Sequence, residues 1–313
     1  MRALLVVNPK ATTTSERSRD VLVRALRSEV ELEVAYTRRR GHCATLARQA
    51  ALAGVDLVVT LGGDGTVNEA VNGLLSARPS GEPPDPAALP AFGVVPGGST
   101  NVFARALGLP KDWAEGTSVI LEALRERRTR TIGLGRADER YFTFCAGLGL
   151  DAAVVRRVER ARLHGRVSTP ALYLRSTVAQ YFLGTDRRHP GITLERPGEA
   201  PEADLATVIV QNTAPWTYLG DRPVNPNPDA SFELGLDVLA MRVLHVPSTT
   251  RTVAQILSRR PDPRGRNVLR LHDVATFTLR TARPQPFQLD GDYLGERDKV
   301  QFTSVPAALR VVC

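Results

Sequence analysis

The chain has 313 residues, of which 42% are hydrophobic and 24% charged, as in an ordinary globular protein with room for two domains. No apolar run reaches the ~18 residues of a membrane-spanning helix, and three scattered cysteines argue against a disulfide framework and indicate a cytoplasmic protein. The net charge of +8 favours an anionic partner. Aromatic residues make up only 5% of the chain and no nucleic-acid motif is present, so nucleic acid is not the expected partner.

Residues 1 to about 130 alternate short apolar runs with patterns of helical period. The predicted strands are Arg2–Asn8, Glu31–Tyr36, Val55–Leu61 and Ala91–Val95. The predicted helices are Ser15–Arg27, His42–Ala53, a helix with Val67, Ala70, Val71 and Leu74 on one face, Asn101–Leu107 and Asp112–Arg128. A Pro/Gly-rich surface loop is expected from Pro79 to Pro90. Repeated strand–helix units imply a parallel, doubly wound sheet with right-handed crossovers.

Two glycine turns follow the third and fourth predicted strands, Gly62-Gly63-Asp64-Gly65-Thr66 and Pro96-Gly97-Gly98-Ser99-Thr100. A strand, a glycine turn and a helix start form an anion site, because backbone N–H groups can approach a phosphate there. Asp64 suits such a loop if a divalent cation lies between carboxylate and phosphate, or if the carboxylate orders the loop. The two turns can close on one ligand at the carboxyl edge of the sheet. For either loop alone, a tight turn without a ligand is the competing interpretation.

The same loops carry a resemblance to a known family. GGDGTVNEAVNGLL, PGGSTN and FARALGLP closely resemble the bacterial diacylglycerol kinase-like lipid kinases, which are relatives of sphingosine and ceramide kinases. Asn8-Pro9 after the first strand and a late Leu289-Asp290-Gly291-Asp292 add to the match. The resemblance implies an N-terminal α/β nucleotide domain, a C-terminal β-rich lipid domain and an active site in the cleft between them.

After Thr129 the pattern changes to short strands broken by turns. The predicted strands are Tyr141–Ala146, Ile192–Glu195, Leu205–Gln211, Leu236–Val243, Val274–Leu279 and Phe287–Asp290. The predicted helices are Val154–Leu163, Thr169–Phe182 and Thr249–Leu257. This spacing favours an antiparallel β-sandwich or half-barrel. We therefore expect a nucleotide domain over residues 1–130 and a lipid domain over 131–303, with the tail 304–313 returning as a strand to the first domain.

The resemblance implies that ATP, with Mg²⁺, contacts the ends of the first four strands. The residues implied are Asn8, Thr37, Gly62, Gly63, Asp64, Gly65, Thr66, Asn68, Glu69, Gly97, Gly98, Ser99, Thr100 and Asn101. For Glu69, compensation of the helix dipole is an equally favoured interpretation. For Ser99, Thr100 and Asn101, an N-cap role is compatible with phosphate contact.

Transfer of a phosphoryl group to a primary alcohol needs a carboxylate that takes the hydroxyl proton. Asp290-Gly291-Asp292 is the leading candidate, because two acids that flank a glycine at a strand end can divide their roles between metal and hydroxyl. Taken alone, this tripeptide is more typical of a hairpin turn. Related kinases carry Asp-Gly-Glu here, with the last acid as base. Asp292 is one methylene shorter, so Asp290 and Asp64 stay alternatives.

Three positions depart from the acidic pattern of relatives, Val102, Thr131 and Leu234. Some bacterial relatives hold a structural Mg²⁺ with an acid at the position of Leu234. Glu233 and Asp237 are the replacement ligands that this chain offers. A hard-cation site that is short of a carboxylate binds weakly or not at all.

A group of arginines in the second half is the expected lipid-facing element, namely Arg156, Arg157, Arg160, Arg162 and Arg166. They would meet anionic headgroups in a peripheral association with the membrane, and a solvated basic helix is an equally favoured interpretation. Overall, the sequence predicts an ATP- and Mg²⁺-dependent kinase of diacylglycerol or a related lipid. The alternatives are a kinase of a soluble alcohol, as in NAD kinase with its similar GGDG loop, and a nucleotide- or lipid-binding homologue without catalysis. The oligomeric state is open, with a homodimer as one option.

Overall fold

The computed structural model describes residues 1–11, 15–77, 85–164, 170–184 and 190–313. They form two compact units, the first made of Met1–Leu134 with Val305–Cys313 and the second of Gly135–Ser304. Residues 79–84 of the predicted surface loop, together with Arg166 and Thr169, lie outside the described residues.

Four parallel strands form the sheet of the first unit, in the order β4-β3-β1-β2. They are β1 (Arg2–Val7), β2 (Glu31–Tyr36), β3 (Leu57–Gly62) and β4 (Ala91–Pro96). Every residue of β3 and β4 is buried, as expected for a parallel sheet that is covered on both faces. The predicted strands are confirmed to within two residues at each end.

Five helices pack around this sheet. They are α1 (Glu16–Arg27), α2 (His42–Leu52), α3 (Asp64–Leu75), α4 (Val102–Ala106) and α5 (Trp113–Arg125). Apolar residues of α1 and α5 share one core with alternate residues of the strands, such as Leu5 and Val59. Leu4 and Val58, which face the other way, are buried as well, and α2 and α3 pack against each other and against the strands. Side-chain caps begin two of the helices, Ser15 at α1 and Asp112 at α5.

The second unit is built from antiparallel strands, of which the first in chain order begins in the first unit and the last ends in it. They are β5 (Arg130–Ala137), β6 (Arg140–Phe142), β7 (Cys145–Gly149), β8 (Ile192–Glu195), β9 (Glu202–Leu205), β10 (Thr207–Gln211), β11 (Thr217–Leu219), β12 (Arg222–Val224), β13 (Leu236–Met241), β14 (Val268–Val274), β15 (Thr276–Leu289) and β16 (Asp292–Val311). Neighbours follow the order β14-β13-β10-β7-β15-β16. The first half of β15 pairs with β8 and its last residues pair with β7, so the long strand borders two parts of one core.

Aromatic rings fill the centre of that core. Phe277 stacks on Phe302 with ring centroids 5.0 Å apart, and Phe142 meets Phe302 edge-on at 6.2 Å. The predicted fold class is confirmed, since an α/β unit with a parallel sheet precedes an antiparallel β unit. The chain end belongs to the first unit, where Val311 pairs in parallel with Phe92 and the Val312 N–H donates to the Phe92 carbonyl at 2.9 Å.

Three strand predictions in the second unit were wrong. The predicted strand Leu205–Gln211 is divided between β9 and β10, which end and begin on either side of Ala206. The predicted strand Tyr141–Ala146 is broken after Phe142, because the backbone N–H groups of Thr143 and Phe144 turn towards Asp290 instead of a neighbouring strand. The predicted strand Val274–Leu279 is divided between β14 and β15, which end and begin on either side of Ala275.

Three helices accompany these strands, α6 (Leu150–Leu163), α7 (Pro170–Leu183) and α8 (Val246–Ile256). Helix α6 begins four residues before the predicted Val154, directly after Gly149, whose φ of +91° turns the chain out of β7. In the part of the chain that the structure describes, no helix is both long and apolar enough to cross a bilayer.

Candidate active site

The loops after β1, β2, β3 and β4 meet at one edge of the first unit's sheet, because the strands are parallel and in register. The Asn8 N–H donates to the Leu61 carbonyl at 2.9 Å, and the Gly97 N–H donates to the Gly62 carbonyl at 2.9 Å. Thr37 follows β2 at the same edge and is half-buried. The predicted nucleotide-binding residues that follow the four strands are therefore brought to this one edge.

The two glycine turns touch through their backbones. A Cβ atom on Gly98 would lie 2.7 Å from the Gly63 Cα, and one on Gly97 would lie 2.9 Å from the Gly62 nitrogen. Real Cβ atoms do not approach backbone this closely, so no side chain fits between the turns without moving one of them. The glycines are needed for this close approach.

Asp64 ties the first turn to the second. Its two carboxylate oxygens accept hydrogen bonds from the Val102 and Phe103 N–H groups, each at 3.1 Å. These are the first N–H groups of α4, which has no side-chain cap from its own N-cap residue, Asn101. The carboxylate therefore caps a helix of the other loop. Of the two roles foreseen for Asp64, ordering of the loop is the one that these contacts support.

Asn101 shapes the second turn. Its φ of +52° places it in the left-handed region, and its side chain is buried. The Gly98 N–H donates to Asn101 Oδ1 at 2.8 Å, while Asn101 Nδ2 donates to the Gly98 carbonyl at 2.8 Å. Asn101 thus closes the turn, while Ser99 at its tip is exposed and Thr100 is half-buried.

Helix α3 begins in the first turn, with Gly63 as N-cap and no side-chain cap. The positive end of its dipole therefore faces the glycine edge, where an anion is favoured. Asn8 Nδ2 donates to the hydroxyl oxygen of Thr66 in the first turn of α3 at 3.2 Å, which joins the end of β1 to this helix. Asn68 is buried, and its Oδ1 accepts a hydrogen bond from Asn72 at 3.3 Å.

Glu69 has a structural role. Its carboxylate accepts hydrogen bonds from the Gly41 N–H at 2.7 Å and the Cys43 N–H at 3.2 Å. Helix α2 has no side-chain cap from its own N-cap residue, Gly41, so Glu69 caps it from the neighbouring helix. Contact of Glu69 with a nucleotide stays a prediction.

In the second unit, Asp290 and Gly291 form the turn between β15 and β16. Both have positive φ angles, +47° and +79°, and Leu289 pairs with Asp292 across the turn. This is the geometry of a two-residue hairpin loop of type I′, which an Asp-Gly pair favours. The tripeptide is therefore a hairpin turn, the interpretation that its sequence favours when it is taken alone.

Asp290 faces inwards, and its carboxylate accepts four hydrogen bonds. The donors are the Thr143 N–H at 2.7 Å, the Thr143 hydroxyl at 2.9 Å, the Phe144 N–H at 3.0 Å and the Cys145 N–H at 3.1 Å. A buried carboxylate in such a set would have to break these bonds to take up a proton. The assignment of Asp290 as an alternative base is therefore corrected: Asp290 anchors the turn. Asp292 is half-buried at the start of β16.

Asp151, in the first turn of α6, was missed by sequence reasoning. Its Oδ2 accepts a hydrogen bond from Gln288 Nε2 at 2.8 Å, two residues before Asp290. Desolvation by the surrounding protein raises the pKa of Asp151 to about 6, and the hydrogen bond from Gln288 opposes that shift. The signal that could have found it is Gly147-Leu148-Gly149-Leu150-Asp151, a third strand–glycine–helix junction.

Glu233 and Asp237, the predicted ligands of a structural Mg²⁺, both have protein partners. Asp237 is buried, and its carboxylate is bound by His272 Nδ1 at 2.9 Å and by the Asp273 N–H at 3.0 Å. Glu233 is hydrogen-bonded to the hydroxyl of Ser231. Among the described residues, no group of three or more His, Cys, Asp or Glu side chains could hold a metal ion. These contacts do not support Glu233 and Asp237 as metal ligands, since Asp237 has a histidine partner, and the assignment stays a prediction.

Comparison with known proteins gives the family. The model of the diacylglycerol kinase catalytic domain matches residues 2–137. A diacylglycerol kinase of Bacillus subtilis (strain 168) is 34% identical over 304 residues, which cover 94% of this chain and 90% of that protein. This chain belongs to the diacylglycerol kinase family.

Two further comparisons agree with this, one with a relative that matches over a shorter stretch and one with a solved structure. A diacylglycerol kinase of Staphylococcus haemolyticus (strain JCSC1435) is 34% identical over 130 residues, 42% of this chain and 36% of that protein. A crystal structure of a diacylglycerol kinase from Bacillus anthracis str. Sterne superposes with a TM-score of 0.72 at 19% identity, over 99% of this chain and 96% of that one. At that identity the superposition speaks for the fold alone.

Proposed function

We propose that this family member is an ATP- and Mg²⁺-dependent lipid kinase that phosphorylates a primary hydroxyl of diacylglycerol or a related lipid. The observation that carries the proposal is the pair of glycine turns tied by Asp64 at the carboxyl edge of the sheet. This edge combines close backbone approach with the N-terminus of α3, which suits the phosphates of a nucleotide. The relative from Bacillus subtilis supports the choice of a lipid acceptor.

In the proposed reaction, different residues bind the phosphates and take up the proton. Backbone N–H groups of Gly63 to Gly65 and of Ser99 and Thr100 would hold the phosphates, since those of Thr66, Gly97 and Gly98 donate within the turns. Mg²⁺ would enter with the nucleotide, while Asp64 holds the two turns together. The bound cation would neutralise charge on the phosphates. The lipid hydroxyl oxygen forms a bond to the γ-phosphorus as the bond from that phosphorus to the β–γ bridging oxygen breaks, and ADP leaves. Asp292 takes the hydroxyl proton, since Asp290 is committed to the turn.

The test is transfer of radiolabel from γ-labelled ATP to diacylglycerol in mixed micelles. A positioned base contributes roughly 10²–10⁴-fold, so Asp292→Ala should lower kcat by about that factor. Asp298→Ala is the matched control, because Asp298 is an exposed acid of the same strand. Equal activity of Asp292→Ala and wild type would remove Asp292 as base. Wild type that binds ATP without turnover on a panel of lipid alcohols would refute the kinase proposal, and turnover of water-soluble alcohols alone would refute the lipid acceptor.

We propose that the binding partner of this protein is an anionic lipid surface, which α6 and α7 contact. Arg157 and Arg160 on α6 and Arg175 on α7 are exposed. Helix α7 also exposes Phe182 and Leu183, the latter with 83% of its surface accessible. Cations beside apolar side chains suit anionic headgroups above an acyl boundary. Of the other predicted arginines, Arg156 forms an ion pair with Glu296 at 3.0 Å. The side chain of Arg162 and the whole of Arg166 lie outside the part of the chain that the structure describes.

Sedimentation with vesicles tests this partner. Each basic residue near an anionic surface contributes about 1 kcal/mol, so Arg157→Ala with Arg160→Ala should weaken binding to phosphatidylglycerol-containing vesicles by roughly 30-fold. Binding to pure phosphatidylcholine should change little. Arg264→Ala, an exposed arginine near α8, serves as the control. Equal loss in the control, or no loss in the double variant, would refute the assignment of this surface.

A further inference from the structure

Helix α6 contacts the chain immediately before Asp292. Gln288 is buried, and its side-chain amide contacts Asp151, Gly291 and, at 3.7 Å, the sulfur of Cys145. Nε2 donates to Asp151 Oδ2 at 2.8 Å, and Oε1 accepts the Gly291 N–H at 2.9 Å. A continuous chain of hydrogen bonds therefore joins the first turn of α6 to the residue that precedes Asp292.

The same helix contacts the residue that follows Asp292. The Tyr293 N–H donates to Glu159 Oε1 at 3.4 Å, and the guanidinium of Arg156 lies 5.7 Å from the centre of the Tyr293 ring. Arg156 also binds Glu296 further along β16 at 3.0 Å. The backbone N–H before Asp292 is thus held by Gln288 of β15, which Asp151 of α6 binds in turn, and the backbone N–H after Asp292 is held directly by Glu159 of α6.

The contact of Asp151 with Gln288 depends on a glycine. Gly147 pairs with Gln288 across β7 and β15, and a Cβ atom there would lie 1.8 Å from Asp151 Oδ2 and 2.9 Å from Gln288 Nε2. Only a residue without a side chain leaves room for this hydrogen bond. The carboxylate is kept there although desolvation raises its pKa to about 6, which makes its charged form unfavourable relative to water.

We propose that Asp151 is a positioning residue for Asp292: through Gln288 it holds the Gly291 N–H and so sets the direction of the Asp292 carboxylate. The proposal rests on the proposed function of Asp292 as base. Glycine is the residue with the greatest backbone freedom, and Gly291 sits at a φ of +79° directly before the acid. An anchor on its N–H removes that freedom where it would move the acid most. Since a displacement of about 1 Å can lower a rate by roughly 10²-fold, such an anchor matters for kcat.

Three variants test the chain of hydrogen bonds. Asp151→Ala removes the acceptor and Gln288→Leu removes the bridge, and each should lower kcat by about 10- to 100-fold while KM for ATP stays within about twofold. Asp151→Asn keeps an oxygen for Gln288 Nε2 and should retain activity within about threefold of wild type. Gln211→Leu is the matched control, because Gln211 is another fully buried glutamine whose amide bridges backbone groups, the Thr213 carbonyl and the Asn227 N–H.

Two further readouts separate positioning from general stability. In an Asp292→Ala background, Asp151→Ala should cause no further loss of kcat, because the residue through which it acts is gone. Hydrogen exchange of the peptide that contains Gly291 should accelerate in Asp151→Ala and Gln288→Leu, and not in Asp151→Asn.

The outcomes distinguish this proposal from the one on which it rests. Wild type without transfer to any lipid alcohol would overturn both. If wild type is active, three results would overturn the positioning role alone. They are an Asp151→Ala variant as active as wild type, an additive loss in the Asp292→Ala background, and a loss of kcat in Gln211→Leu as large as that in Gln288→Leu.

Discussion

The substitution Asp64→Asn tests how the two glycine turns are joined. In the protein as it stands, each carboxylate oxygen of Asp64 accepts one backbone N–H of α4, from Val102 and from Phe103, at 3.1 Å. Asparagine has one oxygen and one NH₂ group. One of the two N–H groups would then face a donor, and the negative charge at the start of α4 would be lost.

The expected loss follows from these two contacts. A hydrogen bond to a charged group contributes roughly 1.5–3 kcal/mol, and loss of a cap costs about 0.5–2 kcal/mol. We therefore expect Asp64→Asn to lower the free energy of unfolding by about 2 kcal/mol. At about 2–4 °C per kcal/mol for domains of 150–250 residues, the Tm should fall by roughly 4–8 °C.

Differential scanning calorimetry without nucleotide measures this shift, and Asp112→Asn is the matched control. Asp112 caps α5 with a single oxygen, Oδ1, which accepts the Ala114 N–H at 2.8 Å and the Glu115 N–H at 3.1 Å. Asparagine keeps that oxygen, so the control should lower Tm by less than about 2 °C. Equal shifts in the two variants, or a shift of Asp64→Asn below about 1 °C, would refute the tie between the turns.

Two other substitutions test contacts described above. Gly98→Ala places a Cβ atom 2.7 Å from the Gly63 Cα, so this variant should separate the two turns. ATP binding, measured by calorimetric titration, should weaken by at least about tenfold. The control is Gly198→Ala, where the added Cβ atom lies in open space and ATP binding should be unchanged. The hydrogen bond to Asp237 raises the pKa of His272 above 6.5 in the folded protein. The stabilisation from this pair is therefore fully present below pH 6.5, and it is lost as the pH rises through the folded pKa. His272→Asn should therefore lower Tm more at pH 5.5 than at pH 9, and an equal shift at both values would contradict this.

Much of the first unit could be predicted from sequence, because the residue types of its strands and helices indicate how deeply each element is buried. Strand β3 is buried throughout, with Thr60 as its one polar side chain, as expected of a buried parallel strand. The glycine turns mark where β3 and β4 pass into helices. Contacts between the turns could not be predicted. Asp64 reaches N–H groups 38 and 39 residues away, and no local pattern distinguishes a carboxylate that caps a distant helix from one that binds a cation.

The second unit was less predictable for a related reason. Asp290 receives its donors from residues about 145 positions earlier in the chain, and the same contacts interrupt the strand that was expected over Tyr141–Ala146. Asp151 was missed because its significance depends on Gln288, 137 residues later. Spacing within a motif shows which acids are near one another, whereas burial and long-range donors decide which of them can accept a proton.

The close contact of the glycine turns has a thermodynamic consequence. Backbone touches backbone at Gly63 and Gly98, and a carboxylate from one turn holds the first amides of the next helix, so the rim of the sheet takes its shape as the chain folds. The conformational entropy of that rim is lost before any ligand arrives. The entropy that is lost when a molecule binds there is therefore only that of the molecule itself and of its solvent shell.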